Sequence, residues 1–66
     1  MIGNNIRACR MRLGITQKEL AEKMGVTPAA VSLWEKDSRD PRLPDLVLLA
    51  SVLKASLNEL VLGQKK

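Results

Sequence analysis

Between Met24 and Pro28 the chain has only three residues, Gly25-Val26-Thr27, in which to end one helix and begin the next. Both ends of that joint are specified locally. Upstream, Thr16-Gln17-Lys18-Glu19 reads as a capping box, with the Thr16 hydroxyl taking the Glu19 amide and Glu19 reaching back to the Thr16 amide. Leu20, Ala21 and Met24 follow at helical spacing, and Gly25 supplies a stop. Downstream, Thr27 is an N-cap and Pro28 sits at the first helical position, where its missing N–H costs nothing. Two short helices joined so closely must cross steeply. Leu20, Ala21, Met24, Val26, Val31 and Trp34 can then converge on one side, with the small Ala21 at the closest approach.

The remaining chain reads as helix throughout. Ile2, Ile6, Cys9 and Leu13 form one stripe, with Arg7, Arg10 and Arg12 mostly off it, and Gly14 ends that first helix. The third helix is expected to run to about Lys36, before a charged loop over 36–42. Pro44 opens a fourth helix with Leu46, Leu49, Ala50 and Leu53 on one face. Val47, Leu48 and Val52 make it apolar elsewhere, so it is expected to be central. Ser56-Leu57-Asn58-Glu59 reads as a second capping box, opening a last helix with Leu57, Leu60 and Val61 inward and a frayed basic tail over 63–66. A chain of 66 residues hides only about 60% of its unfolded surface, which allows one small domain. The expectation is an all-α, compact bundle of five short helices spanning 1–66.

Composition narrows the function. Eleven Lys and Arg against seven Asp and Glu give a net charge of +4, which favours an anionic partner. With no histidine and a single cysteine, Cys9, neither a metal cage nor a disulfide is expected, nor a His-dependent catalytic arrangement. Cys9 is read as a packed side chain rather than a reactive one, and no cofactor is called for. Met1-Ile2-Gly3-Asn4-Asn5 lacks the charged start and apolar run of a secretory leader, and Leu46 to Ala50 is too short to span a bilayer, so a cytoplasmic setting without membrane contact is expected. Glu19 and Glu22 are read as a cap and a solvated face. On the third helix, positions 29, 32, 33 and 36 make a continuous stripe opposite Val31 and Trp34, and this stripe is expected to face outward.

Thr16-Gln17-Lys18-Glu19-Leu20-Ala21, Gly25-Val26-Thr27 and Val31-Ser32-Leu33-Trp34-Glu35, with Arg10 before them and Pro41 and Leu57-Asn58-Glu59-Leu60 after, resemble the Cro/phage-repressor (xenobiotic-response-element) type of helix-turn-helix domain. The resemblance covers almost the whole chain. It implies a lambda-repressor-like fold, with the motif at about 17–36, and a sequence-specific regulator of double-stranded DNA, a repressor, that seats the third helix in the major groove as a homodimer. By position it implies base contacts from Thr27, Pro28, Ala29, Ser32 and Leu33. Phosphate contacts are expected from Gln17, Lys36, Ser38, Arg39 and Arg42, and a largely buried salt bridge between Arg10 and Glu35. Arg10 as a phosphate ligand, Trp34 as a base-stacking residue and Leu33 as a plain surface leucine are the bland or competing readings.

Two departures from the family pattern matter. The outward stripe lacks the Gln, Asn, Arg or Lys that usually read bases, so its natural targets are thymine methyls and single hydrogen bonds. Asp37 and Lys54 stand where glycine is common, which puts the left-handed helix stops there in doubt. An assembly surface is expected from part of the cluster Leu57, Leu60, Val61 and Leu62, with Leu48 and Val52 as secondary candidates. The competing function is an antitoxin or accessory module whose main partner is a protein, which predicts a large exposed apolar patch.

Overall fold

A computed structural model describes residues 2–63 and gives five helices in the order α1 (Ile2–Leu13), α2 (Gln17–Met24), α3 (Pro28–Glu35), α4 (Leu43–Leu53) and α5 (Leu57–Leu62), with no strand among the described residues. The basic tail lies, beyond Gly63, outside the described residues. Local punctuation places the α2–α3 joint as its sequence requires. Thr16 Oγ1 accepts the Glu19 amide at 3.0 Å, and Glu19 Oε1 accepts the Thr16 amide at 2.8 Å. Gly25 closes α2 at φ 72°, and Thr27 Oγ1 accepts the Ala30 amide at 3.2 Å with Pro28 in the first turn.

The buried core comprises Ile6 and Cys9 of α1, Leu20, Ala21 and Met24 of α2, Val31 and Trp34 of α3, Leu49 and Leu53 of α4, and Leu60 of α5. Every helix therefore contributes, and no single one is enclosed. Helix α2 packs on α3, while α1 lies against both α3 and α5. Leu13 closes the α1 stripe at the surface, just over a third exposed.

The fourth helix is not central. Leu43, Val47 and Leu48 are 68%, 55% and 40% exposed, because in a bundle this small only the Leu49–Leu53 face finds partners. In α5 the six residues make fewer than two turns, and only Leu60 faces in. Leu57 and Val61, expected inward, are 44% and 42% exposed, and Leu62 is 62% exposed. Leu60 is fully buried and drops out of the assembly surface; its area is already used within the fold.

Both doubtful stops are left-handed after all, Asp37 at φ 60° and Lys54 at φ 54°. After α3 the Ser38 and Arg39 amides both donate to the Leu33 carbonyl, and after α4 the Ala55 amide donates to the Ala50 carbonyl. These bonds satisfy carbonyls that the helix ends would otherwise leave open, which offsets the steric cost of a side chain in that conformation. Asp37 has a second partner. Its Oδ1 accepts the Gly3 amide at 3.0 Å, capping the start of α1 from across the fold.

Candidate nucleic-acid interface

Helix α3 divides into two faces. Val31 and Trp34 are buried and fix it to the bundle, so Trp34 is a core residue and takes no part in base stacking. On the other face Pro28, Ala29 and Lys36 are exposed and Ser32 and Leu33 are half-buried. Thr27 is also exposed, although its hydroxyl oxygen already serves the Ala30 amide. The outward stripe read from the sequence is thus a solvent-facing ridge about two turns long.

What holds this ridge at a fixed angle is a polar network behind it. Arg10 Nε donates to Glu35 Oε2 at 2.7 Å and its second terminal nitrogen to Glu35 Oε1 at 3.1 Å, while the other terminal nitrogen reaches the Ile15 carbonyl at 2.8 Å. Only 12% of the Arg10 side chain and 5% of the Glu35 side chain remain exposed. Gln17 Nε2 donates to the same Glu35 Oε1 at 3.1 Å. The Glu35 hydrogen bond pushes the Arg10 guanidinium above its ordinary range. One carboxylate therefore ties together α1, the start of α2 and the end of α3. The Arg10–Glu35 pairing is present, and each of the three guanidinium nitrogens of Arg10 already donates to Glu35 or to the Ile15 carbonyl.

Flanking groups supply positive charge. Lys36, Ser38, Arg39 and Arg42 are all exposed on the α3–α4 segment, and Arg39 and Arg42 border an open groove beside Trp34. Asp40 and Asp45 border it too, and Asp45 Oδ2 accepts the Arg42 amide at 3.3 Å at the start of α4. Gln17 is half-buried at the opposite border, with Arg7, Arg10, Glu35 and Lys36 around one cleft. Arg7 lines this cleft beside Lys36, a juxtaposition that no one-dimensional pattern marks.

A second ion pair sits away from the ridge. Arg12 donates to Glu59 Oε2 at 2.6 Å, joining α1 to α5, and Cys9 Sγ lies 4.0 Å from the same oxygen. Burial first, and Glu59 second, push the Cys9 thiol above its ordinary range, as expected of a packed rather than a reactive cysteine. Among the described residues no cluster of His, Cys, Asp or Glu has the makings of a metal site, and no helix is long and apolar enough to cross a membrane.

A closely joined, mutually packed helix pair whose second helix keeps one face in solvent, buttressed from behind and flanked by cations, defines a small nucleic-acid-binding domain of the repressor type. The chain belongs to the helix-turn-helix family, whose model matches residues 6–60. Proteins that carry a similar domain include ones named as transcriptional regulators and repressors. Among solved structures, the chain is similar to the P22 c2 repressor protein in complex with a synthetic operator, at 34% identity and a TM-score of 0.90 over 97% of each chain. It is similar also to the solution structure of the P22 c2 DNA-binding domain, at 33% identity and a TM-score of 0.91, over 100% of this chain and 87% of that one. Among curated proteins, the HTH-type transcriptional regulator YqaE of Bacillus subtilis is 33% identical over 64 residues, and repressor protein C2 of Salmonella phage P22 is 35% identical over 63. The aligned segment spans nearly all of this chain but only 55% and 29% of those relatives.

Proposed function

We propose that this chain is the operator-reading domain of a transcriptional repressor, binding double-stranded DNA as a homodimer with α3 in the major groove. The observation that carries the reading is the outward ridge of α3, opposite the buried Val31 and Trp34 and bordered by Lys36, Ser38, Arg39 and Arg42. Base-edge contacts fall to Thr27, Pro28, Ala29, Ser32 and Leu33. Phosphate contacts fall to Lys36, Ser38, Arg39 and Arg42, and to Gln17, whose link to Glu35 also orients it. The operator-bound P22 c2 repressor, with the same fold, supports the DNA partner. A cytoplasmic location accords with this role.

One domain covers one half-site, and two-fold pairing doubles the contacts. The exposed Leu57, Val61 and Leu62 of α5 are the proposed pairing surface, continued by Leu48 and the half-buried Val52 of α4. The patch is small, so pairing is expected chiefly on DNA. The same patch is what an accessory module would offer a protein partner; the flanking cations favour DNA.

Selection from a random duplex pool at stated salt, followed by titration of the selected site, tests the proposal. Three to four phosphates neutralised per subunit give a dimer a log–log salt slope of roughly −5 to −7. Arg42→Ala should weaken all sequences alike, whereas Ser32→Ala or Leu33→Ala should alter preference at one or two positions. A slope near zero, or a pool that yields no common two-fold motif, refutes the reading.

A further inference from the structure

Helix α5 carries most of the proposed pairing surface, yet little holds it to the bundle. Its six residues cannot sustain a helix alone, since isolated helices below about 12–15 residues are marginal in water. Of these six only Leu60 is buried. One inserted side chain fixes how far α5 stands from the core and leaves its roll about its own axis open. Packing does not supply the missing constraint, because a hollow of about 270 Å³ opens between α1 and α5, lined by Asn5, Ala8, Cys9, Arg12, Glu59 and Gly63. Two polar ties do supply it. Arg12 donates to both Glu59 oxygens, at 2.6 and 3.5 Å, and Asn5 Nδ2 donates to the Leu60 carbonyl at 2.8 Å. That carbonyl belongs to the last turn of α5, where carbonyls lack partners within a helix. Asn5 and Arg12 stand seven positions apart on α1, about two turns and about 10 Å along one face, and so form a rail. At about 100° per residue, Glu59 lies about 160–200° round α5 from Leu57 and Val61. Drawing Glu59 onto the rail therefore turns Leu57 and Val61 away from α1, where both are exposed.

We infer that Arg12 and Asn5 are positioning residues for subunit pairing: the rail on α1 sets the roll of α5, and so decides whether Leu57 and Val61 meet their counterparts across the two-fold axis. The inference rests on the homodimer reading proposed above. Neither residue belongs to the α3 ridge or to its flanking cations. Binding to a half-site and coupling between half-sites are therefore separable in this small domain. The Arg10–Glu35–Gln17 network serves the first, and the rail serves the second.

Duplexes carrying one or both half-sites of the site selected from the random pool test this, with binding measured at one salt concentration. Coupling between two sites commonly amounts to about 5–150-fold. Asn5→Ala, which alters no charge, should bind the single half-site as the parent does and lose about tenfold in coupling on the full site. Arg12→Met should lose at least as much coupling, and Arg12→Lys, which keeps the charge and a donor, should recover most of it. Thermal unfolding followed by Trp34 emission shows whether each variant is folded at the assay temperature, and Asn5→Ala decides if Arg12→Met is not. Equal losses on one and two half-sites, or coupling unchanged in Asn5→Ala and Arg12→Met, overturn the inference. A parent without coupling on the full site overturns the homodimer reading itself, and a parent that binds neither duplex overturns the DNA reading, so the failures are told apart.

Discussion

Replacing Gly3 by alanine should destabilise the fold, against the usual rule for a glycine inside a helix. In an open helical position the change gains about 0.5–1 kcal/mol from backbone entropy alone. Here a Cβ on Gly3 would stand 2.5 Å from the Glu35 carbonyl oxygen, 2.6 Å from that of Trp34 and 2.9 Å from the Glu35 carbonyl carbon. All three are backbone atoms at the end of α3, so no rotamer change relieves the clash. Ordinary contact requires α1 to withdraw by about 1 Å, and overpacking of this kind typically costs about 1–3 kcal/mol. Withdrawal also stretches the 3.0 Å bond from the Gly3 amide to Asp37, worth about 1 kcal/mol. Subtracting the entropic gain leaves a net loss of about 1–3 kcal/mol, which in a domain of this size lowers Tm by about 5–20 °C. Thermal unfolding followed by the emission of the buried Trp34 measures it, with Asn4→Ala, at an exposed position of the same helix, as the control expected to be neutral or slightly stabilising. A Gly3→Ala protein as stable as its parent would refute the argument.

Three further outcomes follow from the same geometry. Arg10→Met strands the Glu35 carboxylate with only the Gln17 donor and should cost about 3 kcal/mol in denaturant titration; the double change Arg10→Met/Glu35→Leu should cost clearly less than the sum of the two single changes, and additivity would show that the pair is not coupled. Lys54→Gly should raise the denaturant midpoint by relieving a left-handed lysine, a gain of up to about 1 kcal/mol, whereas Asp37→Gly should gain less because it also removes the cap on Gly3. Because the folded state raises the Cys9 pKa, the stability this group contributes is complete below its ordinary value of 9.0 and is lost as pH rises through the folded value; iodoacetamide should therefore react slowly at pH 7, and as fast as with the urea-unfolded chain only if the packing is wrong.

Much of the architecture is legible in the sequence because its signals are local. The Thr16 capping box, the Gly25 stop and the Thr27-Pro28 start each depend on residues within four positions, and each is realised at hydrogen-bonding distance. Legibility fails where the outcome depends on what lies across the fold. An apolar residue on α4 or α5 carries no mark of whether a partner covers it, so Val47, Leu57 and Val61 read as core and are surface. Asp37 reads as a poor substitute for glycine, yet its carboxylate is matched to an amide 34 positions earlier. Gly3 passes unnoticed for the same reason, since a helical glycine shows its purpose only against the carbonyls it faces. The Arg10–Glu35 pair was legible through family likeness alone; 25 positions apart, nothing in the spacing links them.

The two sides of α3 share no residue. Val31 and Trp34 carry all of its deep packing, and Pro28, Ala29, Ser32 and Leu33 carry the outward chemistry. An eight-residue segment so divided behaves like a printing block clamped from the rear. Under the proposed reading its type can be reset to spell a different address on the genome, while the clamp of Val31 and Trp34 stays in place.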